Sequence, residues 1–163
     1  MIRAVGLLMV VTVLAGCGAL RPQPIDVAPG QRIVLGRIDL SAMDVTHGIV
    51  EVVRQDGTYN RELTVGLDAA EFAVGMPPGR YRIVRFRGAK DGRTLSEFIR
   101  YLNVGFDVGD EPVVYIGTLR MHSGFGVTVR TTVVDEMEAT LRVLRSRYSD
   151  VPATATRALM IPG

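Results

Sequence analysis

From Gln31 to Arg130 hydrophobic positions recur every second residue in short runs, each bounded by turn-forming residues. This is the period of a strand with one buried face. Residues 32–39 are β-branched and apolar, and residues 49–54 (IVEVVR) follow a polar loop. Asp56-Gly57 separates that run from residues 59–65, where Tyr59, Leu63 and Val65 alternate with Asn60, Glu62 and Thr64. An Asp-Gly pair between two such runs predicts a hairpin. Residues 71–74 predict a short strand, stopped by Pro77-Pro78-Gly79, whose residue types suit a tight turn. Residues 81–87 follow, then a polar loop over 88–93 with a second Asp-Gly pair at 91–92. Residues 98–106 carry Leu102, Val104 and Phe106 on one parity, and residues 112–119 (PVVYIGTL) are apolar on both. The latter is the pattern of a central strand covered on both faces. Phe125, Val127 and Val129 then alternate with Gly126, Thr128 and Arg130. About eight strands at this spacing predict a mainly β fold, an antiparallel β-sandwich.

The period changes once. Val134, Met137, Leu141, Leu144 and Tyr148 recur at steps of three and four, which predicts an amphipathic helix over about 135–148. Asp135 and Glu138 have the spacing of a capping box. Arg142, Arg145 and Arg147 crowd the last turns, complementing the helix dipole, and Glu138 and Arg142 form an i,i+4 pair. The apolar stripe is expected to close one end or face of the sandwich. Beyond Pro152 the tail is mixed, and residues 158–161 (ALMI) are apolar enough to pack back as an edge strand.

The N-terminus follows neither pattern. Arg3 precedes an apolar region of about ten residues, 4–13, too short to span a bilayer as a helix, which takes about 20. Leu14-Ala15-Gly16-Cys17 follows, containing the only cysteine. These residues resemble the bacterial lipobox read by the lipoprotein signal peptidase. The resemblance implies that residues 1–16 are a signal peptide and that the Cys17 thiol receives a diacylglycerol. Cleavage then makes Cys17 the first residue, and its amino group is acylated. Gly18, rather than an aspartate, follows the cysteine, which by the sorting habits of that family implies the outer membrane and a periplasm-facing domain. Residues 17–30, with Pro22, Pro24 and Pro29, read as a semi-extended tether, leaving 31–163 as a single domain.

Composition narrows the functional classes. The net charge of +2 is too small to argue for nucleic acid. A single cysteine excludes an internal disulfide framework, a CxxC pair and a cysteine-rich zinc site. His47 and His122 lie far apart, without the spacing of a metal motif, and read as surface histidines. His122-Ser123 places an imidazole beside a hydroxyl, but neighbours on a strand point to opposite faces. No GxSxG, SxxK or phosphate loop is present. The sequence therefore assigns no catalytic residue, metal or cofactor, although carboxylates from distant strands could still converge in the fold.

The most suggestive polar feature is Arg80, Arg82, Arg85 and Arg87 in RYRIVRFR. Strict alternation would split them two and two between the faces. One extra residue near Ile83-Val84, a β-bulge, would instead turn all four outward and leave Tyr81, Ile83 and Phe86 inward. Such a face is either an ordinary solvated, ion-paired surface or a contact for anionic headgroups, lipopolysaccharide phosphates or an acidic partner.

Residues 72–83 (FAVGMPPGRYRI) resemble the apolar–Pro–Gly–x–Tyr signature of transthyretin-like and carboxypeptidase-regulatory-like β-sandwiches, in which the strand after the turn opens with an inward tyrosine. Residues 113–119 and the helix after them are similar to a pattern in uncharacterised bacterial lipoproteins. These resemblances imply an accessory module and carry over no catalytic residue. The function expected is a membrane-anchored, non-enzymatic envelope lipoprotein that binds a protein partner or an envelope polymer. The alternatives are a structural subunit of an envelope or secretion complex and a lipid-anchored hydrolase whose site is assembled only in the fold.

Overall fold

The computed structural model describes residues 21–67, 70–90, 98–123 and 129–163. Eight strands form the body: β1 (Arg32–Ala42), β2 (His47–Arg54), β3 (Asn60–Gly66), β4 (Glu71–Met76), β5 (Gly79–Ala89), β6 (Phe98–Val108), β7 (Val113–Ser123) and β8 (Val129–Val134). Helix α1 (Met137–Arg147) and two short strands, β9 (Thr156–Arg157) and β10 (Ile161–Pro162), complete the chain. The first sheet runs β4-β1-β7-β8, with β9 on the same edge of β7 as β8; the second runs β10-β6-β5-β2-β3. The expected β-sandwich with one late helix is thus found. Its pairings are antiparallel except for β1 with β7 and β7 with β9. Phe125 and Val127, the Asp91-Gly92 pair and the whole lipobox with Cys17 lie outside the described residues.

The Asp56-Gly57 turn joins β2 to β3 as the sequence predicts. Gly57 has φ 74°, and the Asp56 carboxylate accepts the Thr58 N–H at 3.0 Å and its hydroxyl at 2.7 Å. Those two bonds hold its pKa below the usual range. Pro77-Pro78-Gly79 carries the chain from β4 in one sheet to β5 in the other. Tyr81 then points into the core, fully buried, and its hydroxyl donates to the Pro77 carbonyl at 2.6 Å. Burial pushes that phenol up to about 12, so it remains a donor at any physiological pH.

Each sheet carries a bulge. On β7, Tyr115 pairs with Leu35 and Thr118 with Arg37, so β7 places two residues, Ile116 and Gly117, against Gly36 alone. Gly117 has φ 96°, which suits glycine. The extra residue resets the parity. Val114 and Ile116 face the inter-sheet core before it and Leu119 and Met121 after it, while Tyr115 faces the other way. The run that is apolar on both parities is therefore a strand covered on both faces.

Between the sheets lies the main core, which includes Val34, Ile38, Val50, Tyr81, Phe86, Val104 and Leu119. Phe86 covers Gly48 and Gly88, where a Cβ on either glycine would overlap its ring. A second cluster lies outside the first sheet, where Met137, Leu141 and Leu144 of α1 pack on Leu35, Ala73 and Tyr115. The helix stripe is thus buried on one face of the sandwich.

Four expectations are corrected. No capping box forms: Glu136 is the N-cap and has no side-chain cap, while Asp135 accepts the Met137 N–H at 3.2 Å and Arg157 Nε at 2.7 Å. The Tyr115 hydroxyl supplies what the box would have supplied, accepting the Glu136 N–H at 2.9 Å. Among the described residues Glu138 and Arg142 form no ion pair. The tail makes two short pairings instead of one edge strand, β9 on β7 and β10 on β6. Between them Ala158 and Met160 donate to the Tyr115 and Ile116 carbonyls, both at 2.9 Å, so the tail straps one open side of the sandwich. Finally, residues 23–28 are not free tether. Gln23 bridges to Tyr148, Ile25 is buried in the second cluster, and Val27 packs against that cluster.

Candidate functional site

The site is built on the second bulge. On β5, Arg85 pairs with Glu51 and Ile83 with Val52, leaving Val84 as the extra residue. Tyr81, Ile83 and Phe86 are at most 1% exposed, so Arg80, Arg82, Arg85 and Arg87 share the outer face of the second sheet. The bulge that the parity conflict predicts is present, and among the described residues no element covers this face as α1 covers the other.

The four arginines divide into two pairs. Glu51 and Glu62 stand directly opposite each other on β2 and β3, a like-charge pairing that costs stability unless neutralised. Arg85 lies 2.6 Å from Glu51, and Arg87 is hydrogen-bonded to Glu62. These two arginines therefore serve the sheet. The other two are less engaged: Arg80 is 3.8 Å from Asp107 with both side chains largely exposed, and Arg82 has no carboxylate partner among the described residues. Among the described residues, four guanidinium groups thus face three carboxylates, and the charge left without one is that of Arg82.

Beside Arg82 is an open cavity of about 310 Å³, lined by Val53, Arg54, Gln55, Arg82 and Val84. Arg54 was not singled out by its sequence position. Its guanidinium lies over Gly79, where a Cβ would overlap it, and approaches Asp56 at 3.4 Å. Val53 and the bulged Val84 supply an apolar floor. Two guanidinium groups over such a floor suit a carboxylate or phosphate oxygen with an apolar neighbour. Nearby, Tyr101 is 84% exposed and pairs with Arg85, Ile99 pairs with Arg87, and Ile161 pairs with Gly105. The outward parity of Tyr101 and Ile99, opposite to that of Leu102, Val104 and Phe106, is the signal that places them on this face.

The candidate hydrolytic pair does not assemble. The Ser123 hydroxyl contacts Met43 Sδ at 3.8 Å, while His122 Nε2 lies 3.5 Å from Thr132 Oγ1. His47 Nδ1 is 3.1 Å from Thr46 Oγ1. Among the described residues no group of three or more histidine, cysteine, aspartate or glutamate side chains is placed to hold a metal ion.

Carboxylates do converge beside α1, but in alternation with arginines. Arg147 reaches Glu71 at 3.4 Å, Arg37 reaches Glu71 at 3.7 Å and Glu136 at 3.5 Å, and Arg120 bonds Glu136 and lies 3.7 Å from Asp39. This ladder ties α1 to the first sheet. Burial acts to raise the Asp39 pKa, but Ser41 hydrogen bonds and the nearby Arg37 and Arg120 outweigh it, so the net shift is downward. A carboxylate depressed in the folded state stabilises the fold above its unfolded pKa, and that contribution is lost as pH falls through the folded value. Asp39→Asn is therefore expected to lower the urea midpoint at pH 7. The further loss between pH 5 and pH 2 should be smaller in the variant than in the wild type. Equal acid losses in the two proteins would exclude Asp39 as a contributor.

Comparison with protein-family models, with curated proteins and with solved structures finds no match for this chain.

Proposed function

We propose that this chain is a bacterial envelope lipoprotein, anchored through lipid on Cys17, whose sandwich is a non-enzymatic binding module. Its working surface is the uncovered outer face of the second sheet, centred on Arg82 with Arg54 and Arg80. The observation that carries this surface is the bulge at Val84, which brings the arginines to one face and opens the adjoining cavity. The ligand chemistry is anionic: a carboxylate or phosphate group of a protein partner or an envelope polymer. The ion pair already present at Arg80 does not oppose this, because exposed pairs contribute only about 0–1 kcal/mol and exchange readily for a better anion.

The test is Arg80→Glu combined with Arg82→Glu, chosen because neither side chain neutralises the Glu51–Glu62 pairing. Cross-linking in intact cells should recover an anionic component with the wild type at least about tenfold above the double variant, as two lost charge-assisted contacts imply. The variant's thermal midpoint should stay within a few degrees of wild type. Equal recovery from the two proteins would remove the face from the proposal.

A second reading, a subunit of an envelope complex, draws on the sheet edges. β3 and β4 each end their sheet without a further strand among the described residues, and they flank a cavity of about 330 Å³ that Arg147 and Tyr148 also line. Such edges can accept a strand from a partner.

A further inference from the structure

The way the N-terminal segment is held bears on how the domain sits at its membrane. Among the described residues, the first hydrogen-bonded to the body of the fold is Gln23. Its N–H donates to the Arg147 carbonyl at 3.0 Å, and its own carbonyl accepts the Ser149 N–H at 3.0 Å. The Ile25 N–H then donates to Asp150 Oδ2 at 3.1 Å, and the Ile25 side chain is only 8% exposed, packed in the cluster that holds Leu144 and Val151. Farther along, the segment presses on β4 at Gly75, where a Cβ would stand 3.1 Å from the Asp26 carbonyl oxygen and from Val27 Cα. Residues 23–27 thus belong to the helix layer, the third layer of the molecule, and leave it at the C-terminal end of α1.

From Cys17 to Gln23 is six residue steps. At most about 3.3–3.6 Å per residue, that span reaches about 20 Å. The layers set the comparison. A helix with its side chains is about 10–12 Å across, and packed sheets lie about 10 Å apart. The outer face of the second sheet is therefore about 20 Å beyond the layer from which the chain departs. To lay that face on the anchoring bilayer, the whole reach would have to be stretched around the side of the domain.

We propose that the C-terminal end of α1 and the docked segment rest against the headgroups of the anchoring bilayer, and that the arginine-bearing face of the second sheet is turned away from it. The inference rests on the reading of Cys17 as lipidated. Two guanidinium groups on the membrane-side surface are placed to engage headgroup phosphates. Arg21 and Arg145 are exposed there. The Arg145 guanidinium donates to the Pro152 carbonyl at 3.0 Å and the Ala153 carbonyl at 2.7 Å, contacts that orient it without cancelling its charge. Arg21 has no carboxylate partner among the described residues. Of the carboxylates at this end, Glu71 is paired with Arg147 at 3.4 Å, Asp150 accepts the Ile25 N–H and the Ser149 hydroxyl, and Asp26 is exposed. The consequence deepens the functional reading. The anion met by Arg82 and Arg54 comes from the aqueous compartment, not from the bilayer that holds the protein.

The experiment uses the full lipidated chain in vesicles of phosphatidylcholine and phosphatidylglycerol containing a fraction of headgroup-spin-labelled lipid. Cys17 is the only cysteine, so once acylated it leaves an introduced thiol as the single labelling site. Fluorophores are placed through Ser146→Cys, in the last turn of α1 on the membrane side, and Tyr101→Cys, on the distal face. Quenching is expected to be at least about threefold stronger at position 146. Inserting twenty Gly-Ser residues between Gly18 and Ala19 should bring the two positions to within about twofold of each other. Equal quenching in the chain of native length, or stronger quenching at position 101, overturns the orientation. A difference that survives the insertion overturns the tether as its cause. Mass spectrometry of the N-terminal peptide separates the two failures: absence of acyl mass on Cys17 overturns the lipoprotein reading and the orientation together, whereas acyl mass with equal quenching overturns the orientation alone.

Discussion

Truncation of Tyr115 to alanine is expected to be among the most destabilising single changes in the domain. The side chain is fully buried on the helix side of β7, in contact with the cluster that contains Leu35, Met137, Leu141 and Leu144. Its hydroxyl is also the acceptor for the Glu136 N–H at the start of α1. Removing a buried aromatic ring costs about 3–5 kcal/mol, and orphaning a buried donor adds to that. Folded domains of this size are stable by about 5–15 kcal/mol, so the variant would lose about a quarter or more of its margin. With a urea slope of about 1–3 kcal/mol/M, the midpoint should fall by about 2 M. Tyr115→Phe keeps the ring and removes only the acceptor, and should cost about 1–2 kcal/mol. A shift below about 0.5 M for the alanine variant would show that the helix layer is not integrated with the sandwich.

The second large effect concerns the anchor. Cys17→Ser is expected to abolish acylation, leaving residue 17 without acyl mass and the precursor uncleaved. Each buried methylene contributes about 0.8 kcal/mol, and a single acyl chain gives only reversible binding, whereas three make release negligible. The wild-type protein should therefore leave membranes only with detergent, and its N-terminal peptide should carry the mass of the diacylglyceryl and amide-linked chains. A serine variant that bears the same added mass and partitions as the wild type does would refute the lipoprotein reading.

Much of this architecture is legible in the residues, because it depends on local periodicity. The strand runs and the helix stripe follow from period-two and period-3.6 patterns. Even the bulge on β5 can be derived, since RYRIVRFR cannot bury Tyr81, Ile83 and Phe86 on one side without an extra residue. What escapes the sequence is set by groups that carry no pattern. The segment at Gln23 docks because the end of a helix leaves carbonyls without intrahelical donors, and the Arg147 carbonyl accepts the Gln23 N–H. Only Ile25 and Val27 hint at this among the prolines. The capping box fails because a hydroxyl 21 residues earlier in the chain reaches the same helix start. The site is half legible for the same reason. The arginine row can be read from the sequence, whereas the partnership of Arg82 with Arg54 depends on how two strands are brought side by side, and the neutralising role of Arg85 and Arg87 depends on the Glu51–Glu62 register.

The parallel contact between β1 and β7 has a consequence for how the chain reaches its folded state. Ile33 pairs with Val113 and Leu35 with Tyr115, about half the chain apart, and β1 is flanked by β4 on its other edge. The first sheet has no centre until β7 is available, and β7 in turn is finished on its other edge by the last residues of the chain. Closing loops of that length before any contact rewards them makes folding slow, and it places the commitment step late. A chain that emerges N-terminus first therefore cannot complete its first sheet until most of its length is present. Under the proposal that residues 1–16 are a cleaved leader, that delay keeps the first sheet open while the leader is in use.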